Sequence, residues 1–299
     1  MSLRVISLAS GSKGNALLVS CAKATILVDC GLSLRAIERQ LAYHGVAPES
    51  LCALLLTHEH GDHTLSAGAL ARRYKLPVVC NAETAGALGD ELNGLAVELL
   101  PPGQAGALGP FTMTSFLVPH DAAAPVGYRI AVDGMQLGLA IDLGSWTEAV
   151  AAELRGCDLL IIEANHDREQ LQAAPYPFSI RQRIFGPLGH LDNIDAGALI
   201  AAVCTTTLPR DIWLAHLSEQ ANSAQKAVVG VGRVLKMAGI QGPRLRALPR
   251  VSVCAPQGAP IWESERMLTQ RELFEGARND RGDANPMRSK WRQSMTMQK

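Results

Sequence analysis

Six consecutive residues, His58-Glu59-His60-Gly61-Asp62-His63, hold three imidazoles and two carboxylates. Imidazole nitrogens and carboxylate oxygens are good ligands for a borderline divalent ion such as zinc. On an extended segment His58 and His60 point the same way, with Glu59 opposite. Gly61 is expected to permit a tight reversal, after which Asp62 and His63 face a second point beyond the first. The pattern therefore suits two metal ions side by side. It is not the helical zinc-protease motif, which needs His at i and i+4 with Glu at i+1; position 62 is Asp. A merely solvated loop would favour Ser, Asn, Gly and Lys over three histidines.

Further donors must come from elsewhere. His120 closes FTMTSFLVPHD, Asp142 closes QLGLAID and His216 closes DIWLAHLS, each after an apolar run, as His58 follows CALLLT. Singly, each suits an ordinary loop. Together they predict strand ends converging on one sheet edge. Two divalent ions about 3.5–4 Å apart can share a water and lower its pKa toward neutrality, giving a bridging hydroxide that needs no side-chain base. Attack on a phosphodiester expels an alkoxide that needs a proton. His190, in the turn GHLDN, is the candidate donor. His166 in EANHD is a candidate for substrate contact, and Glu163 for support of that network. Arg181 and Arg183 are candidate phosphate clamps; their spacing puts both on one face of a strand or splays them on a helix. Arg129 lies in an apolar strand and can point either way.

The elements that must carry these groups are short Val/Ile/Leu runs bounded by Gly, Pro, Asp or Ser: RVISLA, NALLVS, TILVD, CALLLT, LPVVC, FTMTSFLVP, GYRIAV, QLGLAID, CDLLIIE and DIWLAHL. These read as strands. Leu34, Ile37 and Leu41 fall at helical spacing before Gly45, and Ser145 with Glu148 has capping-box spacing. A later helix is predicted over about 223–239. SGSKGN (10–15) reads as a hairpin turn. TILVDCGLS (25–33) and LGLAIDLGS (137–145) echo one another as strand, Asp, Gly turn and Ser. Either any strand-to-helix turn favours such residues, or the chain has two duplicated halves. Residues 1–265 are read as one α/β domain, and 266–299, polar and poor in strands, as a short helix and a partly disordered tail.

The 299 residues are 47% apolar, enough for a large core, and 28 basic residues balance 28 acidic ones. No global field attracts nucleic acid or membrane. The opening MSLRVISLASGSKGN lacks a signal-peptide core, and no apolar run approaches about 18 residues. The seven cysteines are scattered without a C-x-x-C pair. Together these features predict a cytoplasmic protein with no membrane span.

Beyond these readings, the sequence resembles the metallo-β-lactamase superfamily of binuclear hydrolases, through LLTHEHGDH, PHDAAAPVGYRI, AIDLG and LAHLSEQANS. EANHD and GHLDN narrow the likeness to the YycJ/WalJ-like group, described as DNA exonucleases. The resemblance implies an αβ/βα four-layer sandwich, two mixed sheets with helices outside. By carry-over, His58, His60 and His120 would hold one metal ion, and Asp62, His63 and His216 the second. Asp142 would bridge them, and Asp29 would buttress the loop. Asp62 and His190 would be catalytic. The group often has Ser where Asp192 stands; an acid facing inward would repel a substrate phosphate. The expected cofactors are two divalent ions, Zn2+ first, with Mn2+ or Fe tolerated by the same ligands. The expected activity is a phosphodiesterase acting on nucleic acid, DNA foremost. The alternatives are a small-molecule hydrolase for a cyclic phosphodiester, thioester or lactone, and a non-catalytic binding module. Few aromatics, 4%, favour the small-molecule hydrolase slightly.

Overall fold

The structure is a computed structural model describing residues 3–204, 208–250, 260–264 and 292–293. Two sheets face one another. The first contains β1 (Arg4–Ala9), β2 (Ala16–Cys21), β3 (Ala24–Val28), β4 (Leu51–Leu55), β5 (Val78–Cys80) and β6 (Val97–Leu99). The second contains β7 (Ala105–Leu108), β8 (Phe111–Leu117), β9 (Val126–Val132), β10 (Met135–Ala140), β11 (Leu159–Glu163), β12 (Asp211–Ala215) and β13 (Arg244–Ala247). Strand β14 (Ile261–Glu263) pairs with β1, and the two-residue β15 (Arg292–Gln293) with β7. Apart from that pair, the helix and tail expected over 266–299 lie outside the described residues.

The connections repeat. From β1 to β6, successive pairs are antiparallel twice and then parallel three times. From β8 to β13 the same series recurs. Each parallel step needs a helical crossover. In the first half these are α1 (Leu34–Tyr43), then α2 (Gly61–Thr64) with α3 (Ala67–Tyr74), then α4 (Ala82–Leu88). In the second they are α5 (Glu148–Leu154), then α6 (Arg168–Ala173), α7 (Phe178–Phe185) and α8 (Asn193–Val203), then α9 (Ala224–Met237). The two echoing stretches begin within β3 and β10, which hold the same place in the two halves. The likeness is thus a repeated topology.

The apolar runs are continuous because both faces of the central strands are covered. On β12, Trp213 and Ala215 pack between the sheets while Ile212 and Leu214 pack under the helices. On β3, Ile26 and Val28 face the second sheet and Leu27 the helix side. Each such side chain contributes about 1.5–3 kcal/mol on burial. Tyr128 Oη donates to Leu56 O at 2.7 Å, tying β9 to the end of β4.

Two local expectations need correction. The cap of α5 is Thr147, whose hydroxyl accepts from Val150 N, while Ser145 donates to Pro187 O. Gly61 begins α2 without a positive φ, and a Cβ there would meet nothing within 4 Å. The reversal is thus the start of a helix, which does not require glycine. Helix α8 gives no periodic signal because it is apolar almost all round, buried among α5, α9 and β11. The six described cysteines are unpaired.

Candidate functional site

The C-terminal ends of β4, β10 and β12 converge, joined by the loop after β8. Three residues at strand ends take left-handed backbone: Asp29 (φ 60°), Asp142 (φ 55°) and His216 (φ 54°). This conformation is costly outside glycine and tolerated best by short polar side chains. It turns each side chain off its strand and into the edge. Glycines let the flanking loops close in. A Cβ on Gly31 would lie 1.6 Å from Asp62 O, and one on Gly144 would lie 2.4 Å from Gly189 N. The Asp-x-Gly of each echo therefore seats a histidine-bearing loop, 58–63 in one half and 187–190 in the other.

His58, His60, His120 and Asp142 offer donor atoms that all lie within 4.8 Å of one another. So do Asp62, His63, Asp142 and His216. Asp142 belongs to both sets: its Oδ2 is 3.3 Å from His58 Nε2, 3.1 Å from His63 Nε2 and 3.6 Å from His120 Nε2. His216 Nε2 stands 3.5 Å from Asp62 Oδ2.

The opposite ring nitrogens are held. His63 Nδ1 donates to Asp29 Oδ2 at 2.8 Å, and Asp29 in turn accepts from Thr57 N and Oγ1. His120 Nδ1 donates to Gly189 O at 2.9 Å. His216 Nδ1 and His190 Nδ1 both donate to Glu163 Oε1 at 2.8 Å, and Glu163 Oε2 accepts from Leu143 N at 2.6 Å. His58 Nδ1 lies 3.0 Å from Thr57 Oγ1. Such outer partners fix ring orientation in metal sites. They leave His58 Nε2, His120 Nε2 and His216 Nε2 buried with no hydrogen-bond partner, while His216 Nδ1 also lies 2.8 Å from Asp142 Oδ1. Buried polar atoms without partners are rare and costly. The donors match what a divalent ion takes, so these residues fit a divalent metal centre. Asn15 Nδ2 approaches His63 Nε2 at 3.0 Å, and Asn15 N donates to Asp62 O.

The electrostatics agree. Burial would push the Asp142 carboxyl up, but the His216 and His63 rings outweigh it and hold it well below the carboxylate range. Burial would lower His63, yet Asp142 and Asp29 raise it to about 10. Glu163, raised by burial, is pulled down to about 2 by His190 and His216. Buried acids thus draw protons onto His63 and His216, supplying positive charge that a divalent ion would supply instead, while burial lowers His58 and His120.

His60, Asp62, His120, Asp142, His190 and His216 border a cavity of about 260 Å³, lined also by Ser12, Asn165, Tyr176, Ile180, Arg183, Ile184 and Ser218. Among the described residues Arg183 is its only lysine or arginine, and it forks onto Asp121, with Nη2 to Oδ1 at 2.8 Å. Arg181 is not brought in: α7 splays the two arginines, and Arg181 Nη1 donates to Tyr176 O at 2.8 Å. Nor does His166 line the cavity; its buried ring lies edge-on to Phe185, with centroids 5.3 Å apart. Arg129 donates to Gln136 Oε1 across the sheet. Asp192 caps α8, accepting from Ile194 N and Asp195 N, and pairs with Arg168, so its charge is spent away from the cavity. A larger hollow of about 480 Å³ beside it is lined by Arg168, Asp192, Asp167 and Lys226, which are already paired with one another. Sequence reasoning missed Asn165 and Ser218, although both lie inside quoted motifs. It also missed Tyr176, which opens the stretch YPFSIRQRIFGPLGHLDN.

The chain matches the β-lactamase superfamily domain over residues 24–216. It is 35% identical over 242 residues to the exodeoxyribonuclease YycJ of Bacillus anthracis, covering 80% of this chain and 91% of that one. It is 37% identical over 226 residues to the exodeoxyribonuclease WalJ of Streptococcus pneumoniae serotype 2 (strain D39), covering 74% and 83%. Among solved structures, the metallo-β-lactamase fold protein YhfI of Bacillus subtilis superposes with a TM-score of 0.67 at 19% identity, covering 88% of this chain and 99% of that one. No helix among the described residues is long and apolar enough to cross a membrane. The fold is thus the metallo-β-lactamase sandwich, and the chain belongs to the β-lactamase superfamily of metallohydrolases, in the group of the YycJ and WalJ exodeoxyribonucleases.

Proposed function

We propose that the protein is a phosphodiesterase dependent on two divalent metal ions, acting as a DNA exonuclease. The observation that carries the reading is the pair of ligand sets sharing Asp142, with the Glu163–His190 pair at its side. Two relatives named exodeoxyribonucleases direct it to DNA. His58, His60 and His120 would hold one ion and Asp62, His63 and His216 the other, with Asp142 common to both. Zn2+ suits the imidazole-rich set best, and Mn2+ or Fe takes the same donors. Bound there, the ions would supply an acidified water and counter-charge for the phosphodiester.

The chain's own groups do the rest. Glu163 holds the Nδ1–H of His190, which leaves Nε2 to the cavity. When the P–O bond breaks, Nε2 gives its proton to the departing oxygen and later regains one from solvent. Asp29 and Thr57 fix His63 and His58. The His120–Gly189 hydrogen bond locks the His190 loop to the ligand set, so donor and ligands move as one body. Arg183, oriented by Asp121, offers a cation to a substrate phosphate at the rim.

A small-molecule phosphodiesterase is the second reading, favoured by a cavity of about 260 Å³ that one arginine serves. The test is elemental analysis of the purified protein, with digestion of labelled single- and double-stranded DNA, RNA and small phosphodiesters. The expected result is close to two ions per chain and stepwise release from DNA ends, abolished by chelator and by Asp142→Ala. Intact DNA beside a hydrolysed small ester would transfer the conclusion to the second reading.

A further inference from the structure

Helix α7 and the turn after it break the usual rule for a surface helix. Phe178 is 69% exposed, Leu188 52%, Phe185 43% and Ile180 39%. The other two described phenylalanines, Phe111 and Phe116, are buried. A cluster of large apolar side chains on the surface marks an interaction site. The same stretch, FSIRQRIFGPL over 178–188, has two arginines and no acid.

Its position identifies what it meets. Ile180, Arg183 and Ile184 line the metal-type cavity from this helix, and Tyr176 lines it from just before. At the other end, His190 N donates to Ile184 O and Gly189 N to Gly186 O, so the helix runs directly into the loop that bears His190. Phe185 meets the His166 ring edge-to-face and keeps less than half of its surface exposed. Arg181 is tethered to Ala174 O and Tyr176 O, which fixes the start of the helix. Exposed rings and arginines, with the Asp121 carboxylate paired to Arg183, continuous with the cavity proposed to cleave a phosphodiester, are the chemistry that stacks bases and accepts a phosphate backbone.

We propose that α7 and the turn to Leu188 form a stacking platform for the unpaired terminal bases of the DNA strand whose phosphate enters the cavity. The inference rests on the nuclease reading and adds to it the state of the substrate. The strand is gripped unpaired, and a duplex end must fray before it is cut. Since every base has a π-face, the platform holds the strand without reading its sequence.

The test compares wild type, Phe178→Ala and Phe178→Trp on a short labelled single-stranded oligonucleotide and on the p-nitrophenyl ester of thymidine 5′-monophosphate. Phe178 touches neither the ligand sets nor His190, and its exposure makes the alanine variant safe for folding. Losing one stacked base is expected to raise the oligonucleotide KM roughly 5- to 150-fold, leaving the small ester unchanged. Phe178→Trp is expected to restore it. Equal oligonucleotide KM in all three proteins would overturn the platform while leaving the nuclease reading intact. So would conversion of a wild-type dimer to a monomer by Phe178→Ala at unchanged KM, which would make this face a contact between copies. Wild type that cleaves the ester but no nucleic acid would remove the nuclease reading, and the platform with it.

Discussion

Replacing Gly144 by Ala tests whether the His190 loop must sit where the structure places it. The new Cβ would stand 2.4 Å from Gly189 N, 2.5 Å from Pro187 O and 2.6 Å from Leu188 C. All three are backbone atoms, so no rotamer change relieves the contact. Ordinary contact begins near 3.4 Å, so the segments must part by about 1 Å. Overpacking of this kind costs about 1–3 kcal/mol, a loss that a domain with about 5–15 kcal/mol of stability survives. A catalytic group displaced by about 1 Å costs on the order of 10²-fold in rate, or about 2.7 kcal/mol of barrier. The expected variant therefore folds, retains its metal and turns over a small phosphodiester about 10²-fold more slowly. The measurements are kcat, the melting temperature and elemental analysis. Gly61→Ala, inside the metal-type loop but facing open space, is the control and should match wild type in rate. Wild-type kcat in Gly144→Ala would refute the reasoning. So would a loss of rate proportional to lost metal, which would place the effect on Asp142 instead of His190.

Two other outcomes follow from the same geometry. Glu163→Gln keeps the shape but removes the charge that holds His190 and His216; kcat should fall on the order of 10²-fold. A rate equal to wild type would remove His190 from its role. Asp192→Ala deletes the cap of α8 and the partner of Arg168, so thermal or denaturant melts should show a loss of about 0.5–2 kcal/mol with kcat unchanged; a loss of activity without a loss of stability would put that carboxylate in the site after all.

The chemistry of this protein is compressed into a few lines of its sequence. His58 to His63 announce metal-type ligands because no solvated loop needs three imidazoles in six residues. The ten apolar runs announce strands because chains buried on both faces cannot alternate with polar residues. His120, Asp142 and His216 were legible as donors because each ends such a run. What sequence alone left open is decided by contacts between distant segments. Arg181 and Arg183 look alike in sequence; only the packing of α7 sends one to its own backbone and the other to Asp121 at the cavity mouth. His190 reads as the proton donor and His166 as a substrate contact, but of the two only His190 bonds Glu163, while the His166 ring packs against Phe185 and does not line the cavity. Gly31 and Gly144 are indistinguishable from ordinary turn glycines until the loops they seat are brought against them. Local pattern records which faces are buried. Which groups meet across them depends on a topology in which β3 and β10, more than a hundred residues apart, deliver their aspartates to the same edge.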